Sequence, residues 1–129
     1  MADAQPTVYA LLGGEEPLAR VVRRFYDVMF TEPALAPLAA MHVDRPRAEA
    51  RLFEFLSGWM GGPNLYWERH GHPMLRRRHF PFAIDTRARD QWLWCMAKAL
   101  RDEGVDAALQ DALMAAFEGV ADHMRNRPD

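Results

Sequence analysis

Apolar residues return at three- and four-residue intervals in four separate stretches of this chain, and no stretch alternates well enough to make a strand candidate of weight. That interval puts side chains on one face of an α-helix, so the pattern predicts four amphipathic helices. The first carries Leu18, Val21, Val22, Phe25 and Met29, behind a Pro17 suited to a first turn. The second opens near Asp44 and Pro46 and carries Ala48, Leu52, Phe55, Leu56 and Trp59, up to a stop at Gly61-Gly62-Pro63. The third, capped by Asp85 or Thr86, buries Trp92, Cys95, Met96, Ala99 and Leu100 and ends at Gly104. The fourth starts near Asp106 with Leu109, Ala112, Leu113, Ala116, Phe117, Val120 and Met124 on its stripe. Helices with one apolar face bury it on one another, which predicts an all-α domain with helices packed in pairs.

The remaining segments read as connections. Residues 1–8 form a loose lead-in, and Gly13-Gly14 reads as a hinge between two short helices. Pro33 and Pro37 restrict TEPALAPLAAMHVD to a turn or two of helix pinned against the core. His42 closes that linker and, taken alone, reads as a surface or capping residue. After Pro63 the chain is read as an extended loop with one short helix near Met74 to His79. A plain connection between helices needs only about two to eight residues, so something holds this longer one in place. A cofactor filling the space between helices would do it.

The 129 residues make one domain, 1–129, large enough to bury a core without disulfide or metal support. Lys plus Arg is 16 against 18 for Asp plus Glu, a net charge of −2 that gives no reason to expect nucleic acid or an anionic membrane. The single cysteine, Cys95, leaves no internal disulfide, redox pair, thiolate cluster or covalent haem attachment. With no basic start and no apolar run of about 18 residues, the expected location is the cytoplasm.

His70, His72 and His79 raise the question of zinc, but no Glu or His at helical offset completes a rigid site. No Gly-x-Ser-x-Gly and no phosphate-binding glycine loop is present, and Cys95 lies on an apolar stripe where a thiol is inert. What remains is an inward-facing Tyr26, an inward-facing Trp92, and His79 between Arg76-Arg77-Arg78 and Phe80-Pro81-Phe82. For Tyr26 the plain alternative is a core tyrosine bonded to a backbone carbonyl. Together they are the parts of a haem pocket: O–H and N–H donors at an apolar edge, and a neutral imidazole for iron. Trp94 lies about 160° off the Trp92 stripe and reads, like Trp67, as a packing or interface residue.

Phe25-Tyr26, FLSGWMGGPNLY at 55–66, Gly71-His72-Pro73, LRRRHFPFAI at 75–84 and DQWLWCM at 90–96 occur in order and at compatible spacing. In this combination the chain resembles the group II truncated haemoglobins over about residues 8–125. The resemblance implies a truncated globin-like two-over-two helical sandwich around non-covalent haem b. It implies His79 as proximal iron ligand, Tyr26 and Trp92 as distal donors, and Ala48 and Leu52 as apolar distal residues. Arg51, Phe55, Tyr66, Arg78 and Phe82 are implied at the haem, the two arginines toward its propionates. The Gly-Gly pairs at 13–14 and 61–62 match the two hinge motifs of the family. The third distal position falls on Ala39 or His42, because the linker is about three residues longer than in shorter forms; His42 is favoured.

The implied function is binding of O2, CO or NO at a five-coordinate iron, for oxygen transport or sensing. Peroxidase or nitric-oxide dioxygenase activity at the same haem is an alternative that would require a separate reductase. A haem-free helical interaction module is another, with His79 as a core residue. Either a monomer or a homodimer is compatible with the sequence.

Overall fold

The computed structural model describes residues 6–79 and 82–128, apart from the side chain of Arg76. The first part of the expected lead-in, and Phe80 and Pro81 of the proposed histidine surroundings, lie outside the described residues. The four long helices fall where the periodicity puts them: α2 (Glu15–Thr31), α4 (Arg45–Trp59), α7 (Thr86–Asp102) and α8 (Ala107–His123). Shorter ones are α1 (Val8–Leu12), α3 (Ala36–Ala40), α5 (Leu65–His70) and α6 (Leu75–His79), with a 3₁₀ turn at Pro33–Leu35.

The helix starts are set by side chains that satisfy otherwise unpaired N–H groups. Asp44 accepts from Arg47 N–H at 3.2 Å, Asp85 from Ala88 N–H at 2.9 Å and Asp106 from Leu109 N–H at 3.3 Å. Gly13 closes α1 at φ 116°, which favours glycine, so the Gly13-Gly14 hinge joins α1 to α2 as expected. At Gly62 the reason is space: an added Cβ would lie 2.5 Å from the Tyr9 ring.

Helix α2 packs on α4 and on α7, and α7 packs on α8, giving the two-over-two sandwich. Leu18, Val21, Val22, Phe25 and Met29 are buried between the layers with Leu56, Cys95, Met96, Ala99, Leu100, Leu113 and Phe117. Each large side chain so buried contributes about 1.5–3 kcal/mol. Burial also pushes the Cys95 thiol up to about 12, as suits an inert core group.

Three expectations need correction. The segment after Pro63 contains α5 as well as α6; its one buried side chain, Tyr66, gives too short a run to produce a visible period. Ala112 and Ala116 are exposed, because α8 lies on α7 along a narrower stripe of Leu113, Phe117, Ala121 and Met124. His42 is half-buried against Tyr26, where the proline-bound linker folds onto α2. Among the described residues no helix is long and apolar enough to cross a membrane.

Candidate functional site

Tyr26 is 4% exposed on α2, and its O–H points to the carbonyl of Ala48 on α4 at 3.5 Å, the long limit of a hydrogen bond. Burial, helped by the Glu49 charge and opposed by that of Arg45, pushes its phenol above the usual tyrosine range. The hydroxyl therefore stays protonated, a donor, at neutral pH. The His42 ring stands edge-on to Tyr26 at 5.5 Å, and its Nδ1 bonds the Leu38 carbonyl at 3.0 Å. A carbonyl only accepts, so Nδ1 carries the proton and Nε2 offers a lone pair. Burial lowers the pKa of His42 against the effect of the Leu38 bond, with a further lowering from His79. A neutral His42 held this way accepts at Nε2 and does not donate there.

Trp92 is reached from Tyr26 through Phe25, whose ring lies 4.9 Å from Tyr26 and 5.1 Å from the indole. On its other side the indole meets Phe117 at 5.6 Å. These ring contacts fix the plane of Trp92, while no hydrogen bond among the described residues engages its N–H. Ala48, Leu52 and Phe55 are partly buried against the same core, and Ala39 packs nearby on α3. Of the residues expected on the distal side, His42, Tyr26 and Trp92 are thus joined by ring contacts that pass through Phe25.

His79 is the last residue of α6, half-buried, with Nδ1 2.6 Å from the Leu75 carbonyl one turn earlier. The same argument places a proton on Nδ1, which donates, and among the described residues no hydrogen bond engages Nε2. Among the described residues, α6 has few close backbone contacts with the long helices. Arg78 donates from Nε to the Pro73 carbonyl at 2.7 Å and places its guanidinium 5.7 Å over the Tyr66 ring. Phe82 is 37% exposed, and among the described residues no ring contact ties it to this group.

Arg51 is drawn to Glu54, a residue that the sequence reading passed over. Glu54 is 5% exposed and accepts from Arg69 at 2.7 Å and Arg51 at 3.3 Å, with His70 Nε2 at 2.9 Å. An acid inside the apolar run LFEFL was the signal for it. Burial works against its ionisation, but the bonds from Arg69 and His70 and the charges of His70 and Arg51 hold the carboxyl below the usual range. A depressed folded value stabilises the fold above the ordinary carboxylate range, and that stability is lost as pH falls through the folded value. Glu54→Gln is therefore expected to melt below wild type at pH 7, the gap closing below about pH 4. Melts followed by circular dichroism check this, and a gap unchanged into acid would contradict it.

The histidines of the zinc question serve other partners: His70 faces Glu54, and His72 accepts from Met74 N–H at 2.9 Å beside the exposed Trp67. Trp94, 45% exposed, lines a separate groove of 790 Å³ with Glu32, Leu35 and Gln91, away from His79.

Long helices packed in two layers, with the His79 ring on a short helix and Tyr26 and Trp92 on α2 and α7, are the arrangement of a two-over-two globin. The comparisons agree. The description "Bacterial-like globin" matches residues 7–126. Group 2 truncated hemoglobin YjbI of Bacillus subtilis is 37% identical over 116 residues, 90% of this chain and 86% of that protein. The cold-adapted truncated hemoglobin of Pseudoalteromonas haloplanktis TAC125 superposes with a TM-score of 0.90 at 46% identity, over 95% of this chain and 99% of that one. The group II 2-on-2 hemoglobin of Agrobacterium tumefaciens does so with 0.92 at 39% identity, over 100% of both. The chain belongs to the bacterial-like globin family, among its group II truncated haemoglobins, and membership implies haem binding.

Proposed function

We propose that this globin holds haem b non-covalently through His79 and binds O2, CO or NO on the side of Tyr26 and Trp92. The observation that carries the reading is the His79 Nδ1–H bond to Leu75, which leaves Nε2 as the only open nitrogen of that ring. The donor set fits the group: an imidazole held through Nδ1 on one element, and on others a protonated phenol and an indole N–H with no hydrogen-bond partner among the described residues. When bound, haem iron supplies an open coordination position for a diatomic ligand and shifts electron density onto it.

The chain's own residues do the rest. Tyr26 O–H and Trp92 N–H present donors to that density, while Ala48 and Leu52 keep the space apolar. The His42 ring, edge-on to Tyr26, helps to orient the phenol by packing. Arg78 can meet a propionate. Arg51 serves there only to the extent that Glu54 leaves it free. The Bacillus subtilis relative of solved structure is described as oxygen-avid, and two distal donors are consistent with high affinity here too.

Titration of the purified chain with haemin, followed by reduction and CO, tests the reading. A one-to-one spectrum that responds to CO is expected, and absence of stoichiometric binding would refute it. In the loaded protein Trp92→Phe removes one donor. A hydrogen bond to a charged group is worth about 1.5–3 kcal/mol, so O2 should dissociate at least about tenfold faster. An unchanged stopped-flow rate would take Trp92 out of the role.

A further inference from the structure

Asn126 lies beyond α8, in a segment no part of the foregoing account uses, yet its hydrogen bonds converge on the residue that account depends on. Its Nδ2 donates to the His79 carbonyl at 3.0 Å and to the Phe82 carbonyl at 3.0 Å. Its Oδ1 accepts from Ile84 N–H at 2.9 Å, and its own N–H donates to the Ile84 carbonyl at 2.9 Å. Both Nδ2 hydrogens are therefore in use, and the bonds of Asn126 together reach the end of α6 and two residues of its connection to α7. Phe82 N–H donates to the His79 carbonyl as well, at 3.0 Å, so that oxygen accepts twice.

We propose that Asn126 is a positioning residue for His79, making the segment after α8 part of the proximal side. This rests on the reading of His79 as the iron ligand. His79 ends α6, so its carbonyl is one of those a helix leaves without an internal partner. Water could satisfy such an oxygen, but water would not locate it. Asn126 does, because Met124 and Ala121 are buried on the core side of the same chain end. The line of support runs from the core through α8 to Asn126 and on to the His79 backbone, while Leu75 holds the ring from the other side. Asn126 thus tethers the backbone from which the imidazole extends. Loss of the side-chain bonds should let His79 tilt and shift, weakening the iron–imidazole bond and speeding haem loss. With two hydrogen bonds removed, about tenfold faster loss is expected.

The test uses the haem-loaded full chain. Asn126→Leu removes all side-chain bonds, Asn126→Asp keeps an acceptor for Ile84 N–H and removes both donors, and Asn126→Gln returns the amide on a longer arm. Resonance Raman of the ferrous protein reads the iron–His79 stretching band, and transfer to an excess of an acceptor apoglobin reads haem loss. Hydrogen exchange of residues 75–79 and 82–85 in the haem-free protein reads the tether without haem. Expected are a shifted band, faster loss and faster exchange in the Leu and Asp variants, with partial recovery in Gln. A wild-type band and loss rate in Asp, whatever happens to the melting temperature, would make Asn126 an ordinary helix-end cap and overturn the proposal. Should Leu fail to fold, Asp alone decides. A His79→Ala chain whose haem spectrum matches wild type would instead overturn the ligand assignment, independently of Asn126.

Discussion

His79→Gly is expected to lose stoichiometric haem binding and to regain it when free imidazole is added. Burial of the porphyrin against apolar residues would survive the substitution, but the bond from Nε2 to iron would not. What identifies the ligand is the return of binding with imidazole, because a small molecule can replace a ligand and cannot repair a fold. Glycine within the short α6 costs about 1 kcal/mol in helix propensity, a penalty confined to that turn. Circular dichroism should therefore stay near wild type, since the core of α2, α4, α7 and α8 does not include His79. The measurement is a haemin titration with and without imidazole, His79→Ala serving as the tighter-walled control. Tight binding by His79→Gly without imidazole would end the assignment, since another residue would have to supply the iron bond. Binding that imidazole fails to restore, in a chain that is otherwise folded, would assign His79 a packing role.

The long helices were legible because their apolar stripes are long. Leu18 to Met29 and Trp92 to Leu100 repeat often enough for the period to stand out, and the residues after Asp44, Asp85 and Asp106 begin helices where side-chain caps can form. Helix α5 was not legible for the converse reason: Leu65–His70 buries only Tyr66 and is held by Glu54, a partner distant in sequence. Tyr26 and Trp92 could be picked out as inward-facing because each sits on a stripe. The ring of Phe25 that lies between them could be read only as core. The choice of His79 as the proposed ligand came from the residues left by elimination and from the family motif around it. Its tautomer did not, because that depends on a carbonyl one helical turn away, and the tautomer of His42 depends on the same kind of bond. Asn126 is the extreme case, a polar residue near the chain end whose partners lie about forty positions earlier.

Phe117→Ala should destabilise the fold by about 3–5 kcal/mol. The ring is 1% exposed on α8, stacked on Trp59 of α4 at 4.8 Å and edge-on to Trp92 of α7 at 5.6 Å, so it joins three of the long helices. Aromatic pairs of this kind add about 0.5–1.5 kcal/mol beyond their buried area. Against a total stability of about 5–15 kcal/mol the loss is large, and the urea midpoint should fall with little change in slope. Phe117→Leu keeps most of the volume and loses both ring contacts, so it should fold with a smaller loss. That variant separates packing from function. Of the two ring contacts of Trp92 among the described residues, only that to Phe25 would then remain, and a loosened indole presents its N–H less often to a bound ligand. Faster O2 dissociation from haem-loaded Phe117→Leu is the expected result. A wild-type rate in a destabilised Phe117→Leu would mean that Phe25 suffices to orient Trp92, and that Phe117 serves the fold and leaves the distal side untouched.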